Sequence, residues 1–240
     1  MSTVQGSWRG PNIVKDGLLI YLDPSSPNSY YMLGTTLKDI SGNGNNGSLV
    51  NAPTFNTEVG NMFTFNGTNQ YINCGNATNL RITEGTISAW IRATSGNSGF
   101  RGIITKQNAW GLFLIDNVLC VFDWGNYYAS GFILAQGIRS TGINLGTNTW
   151  THVTMSFSQT VGVGTPGPPN NNVVIYINDS PVLTTTTLHR DHTASIQFAW
   201  GNFTGQYFVG SVAQGMVYSK VLTSTEVLQN YNATKSRFGL

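Results

Sequence analysis

Short runs of Val, Ile, Phe, Tyr and Trp recur along the chain between clusters of Gly, Asn and Pro, and almost none carries the period of about 3.6 residues that a helix needs. Where a run is long enough to read, the period is two. In 86–91, Ile87, Ala89 and Ile91 alternate with Thr86, Ser88 and Trp90, so one face turns inward and the other carries Trp90. In 150–157, Thr151, Val153, Met155 and Phe157 take one face while His152, Thr154 and Ser156 take the other, the pattern of a half-buried strand. Strands that are apolar on one face bury it by stacking one sheet on another.

Strands are expected over Leu18 to Asp23, Met62 to Phe65, Gln70 to Asn73, Gly85 to Arg92, Gly102 to Lys106, Trp110 to Ile115 and Val118 to Asp123. The second half adds Phe132 to Leu134, Trp150 to Ser158, Val173 to Ile177, Ser180 to Thr185, Ile196 to Trp200 and Gly210 to Tyr218. Asn178-Asp179-Ser180 between two of these runs suits a tight hairpin, because Asn and Asp tolerate the turn conformations it requires. Residues 159–172, QTVGVGTPGPPNNN, read as an exposed loop. Only Thr223 to Lys235 looks helical: Thr223 can cap, Glu226 can close a capping box, and Val227, Leu228 and Tyr231 can face the core. The expected fold is all-β, a two-sheet antiparallel jelly-roll sandwich with a short C-terminal helix, in which an arm of residues 1–16 precedes a domain of 17–240.

Charge excludes some functions. Only 9% of the residues are charged and the net charge is +2, without a basic run, so the counterion release that drives nucleic-acid binding has little to act on. So little charge also leaves a solitary globule with weak colloidal repulsion, which suits a homo-oligomer or a protein within an assembly. No stretch offers the roughly 18 apolar residues of a membrane span, and the N-terminus lacks an apolar run of signal-peptide length. A soluble chain without a Sec-type leader or a membrane partner is expected. Cys74 and Cys120 are expected to be free, buried thiols. The Asn-x-Ser/Thr triplets reflect a chain rich in Asn and Thr.

The strings 17–23 (GLLIYLD), 39–47 (DISGNGNNG), 65–72 (FNGTNQYI) and 86–91 (TISAWI) occur in that order, followed by 150–153 (WTHV), 174–178 (VIYIN) and 210–223. Together they resemble the laminin-G-like, concanavalin-A-like superfamily over about residues 17–232. The opening 10–14 and the ending 226–239 resemble a subgroup found in virion proteins of tailed phages, including cyanophages. The resemblance implies a non-enzymatic structural or interaction protein on the surface of a phage virion, in a head decoration, tail fibre or baseplate, with other virion proteins as partners. The alternative is a glycan-binding module that attaches the particle to a host surface. Trp8, Ile13 and Val14 offer apolar anchors through which the arm could dock; the alternative for the arm is a frayed terminus.

Retaining glucanases of this architecture set two carboxylates on one strand face. No two acids here are separated by a single residue, the abundant serines lack a nucleophile elbow, and no enzyme is expected. His189, Asp191 and His192 could ligate zinc if the loop folded them together; otherwise Arg190 pairs with Asp191 and the two imidazoles are solvated. No cofactor is expected, with calcium the candidate to weigh because laminin-G-like relatives often bind it. Asp23, Asp39 and Asn43 are the residues to hold it; the alternative is that Asp39 and Asn43 bond the turn around them. Trp110, Trp124, Tyr127, Tyr128 and Trp200 fall near strand ends or loops where rings can stack on sugars or partner proteins, or else belong to the core. Within them, Asp123, Trp124, Asn126, Tyr127 and Tyr128 combine a carboxylate, an amide and three rings, the groups a glycan-recognition loop requires.

Overall fold

The computed structural model describes residues 12–123, 137–158, 172–187, 189, 191–201 and 203–240. In chain order the strands are β1 (Leu18–Leu22), β2 (Thr36–Leu37), β3 (Gly47–Val50), β4 (Thr54–Asn56), β5 (Met62–Asn66) and β6 (Tyr71–Asn73). They continue with β7 (Gly85–Ala93), β8 (Phe100–Lys106), β9 (Trp110–Ile115), β10 (Val118–Asp123) and β11 (Gly137–Asn144). The last are β12 (Trp150–Phe157), β13 (Val173–Ile177), β14 (Ser180–Thr185), β15 (Ile196–Phe198) and β16 (Val209–Tyr218), followed by the helix α1 (Ser224–Thr234) and a 3-10 turn over Lys235–Phe238.

Two antiparallel sheets result. Sheet A runs β14-β13-β12-β7-β16-β5-β4, and β1 lies beside the second half of β16; sheet B runs β11-β10-β9-β8-β15-β6-β3-β2. The inward-facing residues of both form one core: Ile87, Ala89 and Ile91 of β7 and Val153, Met155 and Phe157 of β12 meet Leu112 and Leu114 of β9 and Phe198 of β15. Cys74 and Cys120 are free and buried, and burial pushes the Cys120 thiol up to about 12. Trp110 belongs to this core and is not a surface contact.

The outer face of sheet A departs from the half-buried pattern. Trp90, His152, Thr154 and Ser156 are all buried, because the C-terminal segment lies across them. Trp90 stacks on Phe238 at 4.2 Å and on Tyr231 at 5.7 Å, and its indole N–H donates to Thr234 Oγ1 at 2.8 Å. The helix forms as its sequence requires: Thr223 accepts from the Glu226 amide while Glu226 accepts from the Thr223 amide, which completes the capping box. Val227 and Tyr231 face inward as expected, whereas Leu228 is exposed and Asn230 takes its place. Asn230 accepts from the Val14 amide and donates to the Tyr218 hydroxyl, tying the N-terminal segment to helix and sheet.

Candidate functional site

On the outer face of sheet B, Tyr71 and Asn73 project from β6 because Ile72 between them enters the core. Asn73 pairs with Gln197 of β15, and Gln197 with Thr105 of β8, so these polar residues form a row across the sheet. Strict alternation would send Trp200 inward with Ile196 and Phe198. Ala199 instead takes φ +64°, and Trp200 emerges on the outer face at the start of a short hairpin whose other arm is Tyr207. The Trp200 ring lies 4.5 Å from that of Tyr71 and stacks on Tyr207 at 5.3 Å with an interplanar angle of 4°.

The three rings are half-buried, and their polar atoms divide into two sets. The Trp200 indole N–H donates to the Phe203 carbonyl at 2.9 Å, so what Trp200 leaves to a ligand is ring face. The Tyr71 and Tyr207 hydroxyls make no hydrogen bond to the described protein, and burial raises the Tyr71 phenol from its ordinary value, with Tyr207 adding to the effect. Arg101 fastens the hairpin: its Nη1 donates to the carbonyls of Gly205 and Tyr207 at 2.6 and 3.1 Å, and its Nε to that of Ser98 at 3.0 Å. Gly102 is required beneath it, since a Cβ there would lie 2.3 Å from the Trp200 carbonyl carbon.

Sequence reasoning reached Trp200 but missed Tyr71, Tyr207 and the glutamines beside them. The available signal was two aromatic residues flanking Gly201 and Gly205, with a third one residue before a core isoleucine. Of the expected recognition loop, Asp123 closes β10 by pairing its backbone with Gly137, and Trp124, Asn126, Tyr127 and Tyr128 lie outside the described residues. The strand expected at 132–134 and the loop over 159–171 lie outside them as well.

The calcium candidates are held by protein groups. Asp39 accepts from the amides of Tyr21, Ser41 and Asn45 and from the Ser41 hydroxyl, and Asn43 donates to the Leu18 carbonyl. Asp23 forms a two-pronged pair with Arg237, at 2.9 and 3.1 Å, and accepts from Ser25 and the Tyr21 hydroxyl. That pair borders an open cleft of about 590 Å³ between Asn12–Lys15, Ile40–Ser41 and the end of α1. Trp8 lies outside the described residues. Val14 is buried against Tyr218, Leu222 and Val227, so the apolar anchor read as free for docking is already used by its own domain.

Histidines also differ from expectation. Asp191 pairs with Arg81, at 2.6 and 2.9 Å. His189 is buried beside Phe157 within 3.0 Å of the Thr187 hydroxyl, and His192 accepts from the Ala194 amide. Among the described residues no three metal-ligating side chains converge.

A family model described as the concanavalin A-like lectin/glucanases superfamily matches residues 66–228. Solved structures share the fold. The binding domain of Paraclostridial Mosquitocidal Protein 1 matches with a TM-score of 0.69 at 18% identity, over 91% of this chain and 52% of that one. Domain 4 of AbnA, a GH43 extracellular arabinanase from Geobacillus stearothermophilus, solved in complex with arabinotriose, matches with a TM-score of 0.63 at 17% identity, over 89% of this chain and 98% of that domain. Trypanosoma rangeli sialidase in complex with sialic acid matches with a TM-score of 0.63 at 13% identity, over 92% of this chain and 33% of the sialidase. The chain thus spans about half of the mosquitocidal chain and a third of the sialidase. No curated protein matches it in sequence.

Proposed function

Since the chain belongs to the concanavalin A-like lectin/glucanases superfamily, we propose that it is a glycan-recognition module that binds sugar on the outer face of sheet B and carries out no catalysis. The observation that carries this reading is the Tyr71–Trp200–Tyr207 cluster, half-buried rings whose two phenols bond no described protein atom. Sugar rings present C–H faces to stack on aromatics and hydroxyls to bond polar neighbours. The neighbour solved with arabinotriose supports a carbohydrate reading. A binding role rather than hydrolysis is supported by the acids, since Asp23, Asp191 and Glu58 pair with arginines and Asp16 and Glu226 share Lys220. Affinity electrophoresis against a panel of plant and bacterial polysaccharides tests the proposal: retardation by at least one, abolished in Trp200→Ala, is expected, and free migration through all of them would sink it.

A second reading, an assembly contact on a phage virion surface, has its own observation. The loop between β1 and β2 contains no charged residue from Pro24 to Leu37, and at its tip Tyr31, Met32 and Leu33 are 78%, 62% and 80% exposed. Tyr30 beneath them is anchored against Phe55 and Phe63, so the tip is presented on a fixed base. Replacing the three tip residues by Ser should leave an oligomer or particle-bound protein as a free monomer by light scattering; unchanged incorporation into particles would remove this reading.

A further inference from the structure

Two acceptors beside the ring cluster lack donors. Gln197 is 6% exposed on β15, and its Oε1 is sealed from solvent without a hydrogen-bond partner. Gln206, next to Tyr207, has a side-chain Oε1 in the same condition. Its main chain is locked in place, because the amides of Gly102 and Gly201 both donate to its carbonyl, at 3.1 and 3.0 Å. The side chain lies so close over Gly201 that a Cβ there would stand 2.3 Å from Oε1. A buried carbonyl oxygen without a donor forfeits its hydration and gains nothing in exchange. Two such atoms flank one aromatic surface, beside two phenols that bond no described protein atom, so the site holds two acceptors without donors and two hydroxyls free to donate or accept.

Charge narrows the class of ligand that would supply them. Arg101, the cation that fastens the hairpin, directs its Nε and Nη1 donors at main-chain carbonyls. None of the side chains forming the cluster, Tyr71, Trp200, Tyr207, Gln197 and Gln206, ionises near neutral pH. A carboxylate brought onto these rings would lose water in exchange for the Arg101 charge alone, whose Nε and Nη1 are already given to carbonyls, and would offer the two glutamine oxygens no donor, whereas a neutral sugar brings hydroxyl donors and an apolar ring face.

We infer that this face takes a neutral, hydroxyl-rich glycan in preference to a uronic- or sialic-acid one, with Trp200 as the stacking platform and the carboxamides of Gln197 and Gln206 turning out of their sealed positions so that their oxygens accept sugar hydroxyls. The inference rests on the glycan-recognition reading above and adds the substrate class and the acceptors.

The test is calorimetric titration of the full chain with neutral arabino-, xylo- and galacto-oligosaccharides and, in parallel, with oligogalacturonate and a sialylated trisaccharide. Neutral sugars should bind and the acidic ones should bind about tenfold or more weakly. Gln197→Leu and Gln206→Leu should each lower neutral-sugar affinity about tenfold, the scale of one lost hydrogen bond. Their melting temperatures should not fall, because each change removes an acceptor that bonds nothing in the free protein. Tyr207→Phe, which keeps the ring, should weaken binding less than Trp200→Ala. Acidic sugars bound equally or more tightly, or full affinity in both leucine variants, would overturn the inference while leaving a glycan module. Binding of no sugar at all would overturn the reading beneath it.

Discussion

The outer face of sheet A and the β3–β6 end of the outer face of sheet B begin from the same alternation and end in opposite states. On sheet A the residues between core positions, Trp90, His152, Thr154 and Ser156, are sealed by α1 and the turn after it, so the face has become a second and a third apolar cluster. On sheet B the corresponding residues of β3 and β6, Ser48, Asn73 and Tyr71, remain exposed or half-exposed, and the indole that joins them is held at the surface by a hairpin. A strand's own sequence therefore sets which residues share a face; whether that face is core or contact surface depends on segments far away in the chain.

The strongest test of this contrast exchanges one tryptophan for alanine on each face. Trp90→Ala removes a fully buried ring together with its bond to Thr234, and a loss of about 4 kcal/mol in urea unfolding is expected. Trp200→Ala empties a half-exposed position and should cost roughly 1 kcal/mol while abolishing sugar binding. Equal losses from the two would mean that the sheet B rings are structural and that the contrast between the faces is false.

Acid sharpens the same comparison. His152 is wholly buried between Trp90 and Tyr231, and burial holds its pKa down to about 4, only partly opposed by a bond to the Asn178 carbonyl; burial likewise lowers His189 to about 4. In the unfolded chain both would titrate near about 6.5. Between these values the unfolded state binds more protons than the folded one, so stability is complete above about pH 6.5, falls as pH drops towards 4 and levels off below it. Each imidazole contributes about 3 kcal/mol to that fall. In His152→Phe, unfolding followed across this window should lose about half of its pH dependence. Sugar affinity at sheet B should stay level over the same range while the protein remains folded, since Tyr71, Trp200 and Tyr207 do not titrate there.

What the sequence disclosed follows from how local each signal is. The long strands β7, β9, β12 and β16 and the capping box of Thr223 and Glu226 were legible because period and cap lie within a few residues. β2, β3 and β4 were not, being two to four residues long in segments rich in Asn, Gly and Thr, and they exist through their partners; Gly47 of β3, for one, lies where a Cβ would come within 2.5 Å of Ile72. β11, GIRSTGIN, is an edge strand placed by pairing with β10, and its sequence carries little apolar alternation. Trp110 opens an apolar run and Trp200 closes one, yet one is core and the other surface. The residue that separates them is Ala199, whose positive φ reverses the phase, and alanine is a residue type that gives no warning of it.

The smallest effect bears on how the cover of sheet A is held. Thr223→Ala removes half of the capping box and leaves the Glu226 amide without its acceptor, for an expected loss of about 1 kcal/mol. Because α1 lies over β7 and β12, the loss should appear first as local opening. Amides of α1 should exchange several-fold faster in hydrogen–deuterium exchange, as should the Trp90 indole N–H, whose acceptor Thr234 closes that helix. Amides of β6, β8 and β15 should keep their protection, since their outer face does not depend on the helix. Uniform acceleration in both sheets would show instead that the helix and the sandwich open as one unit, and that sheet A is covered by a segment as stable as the core itself.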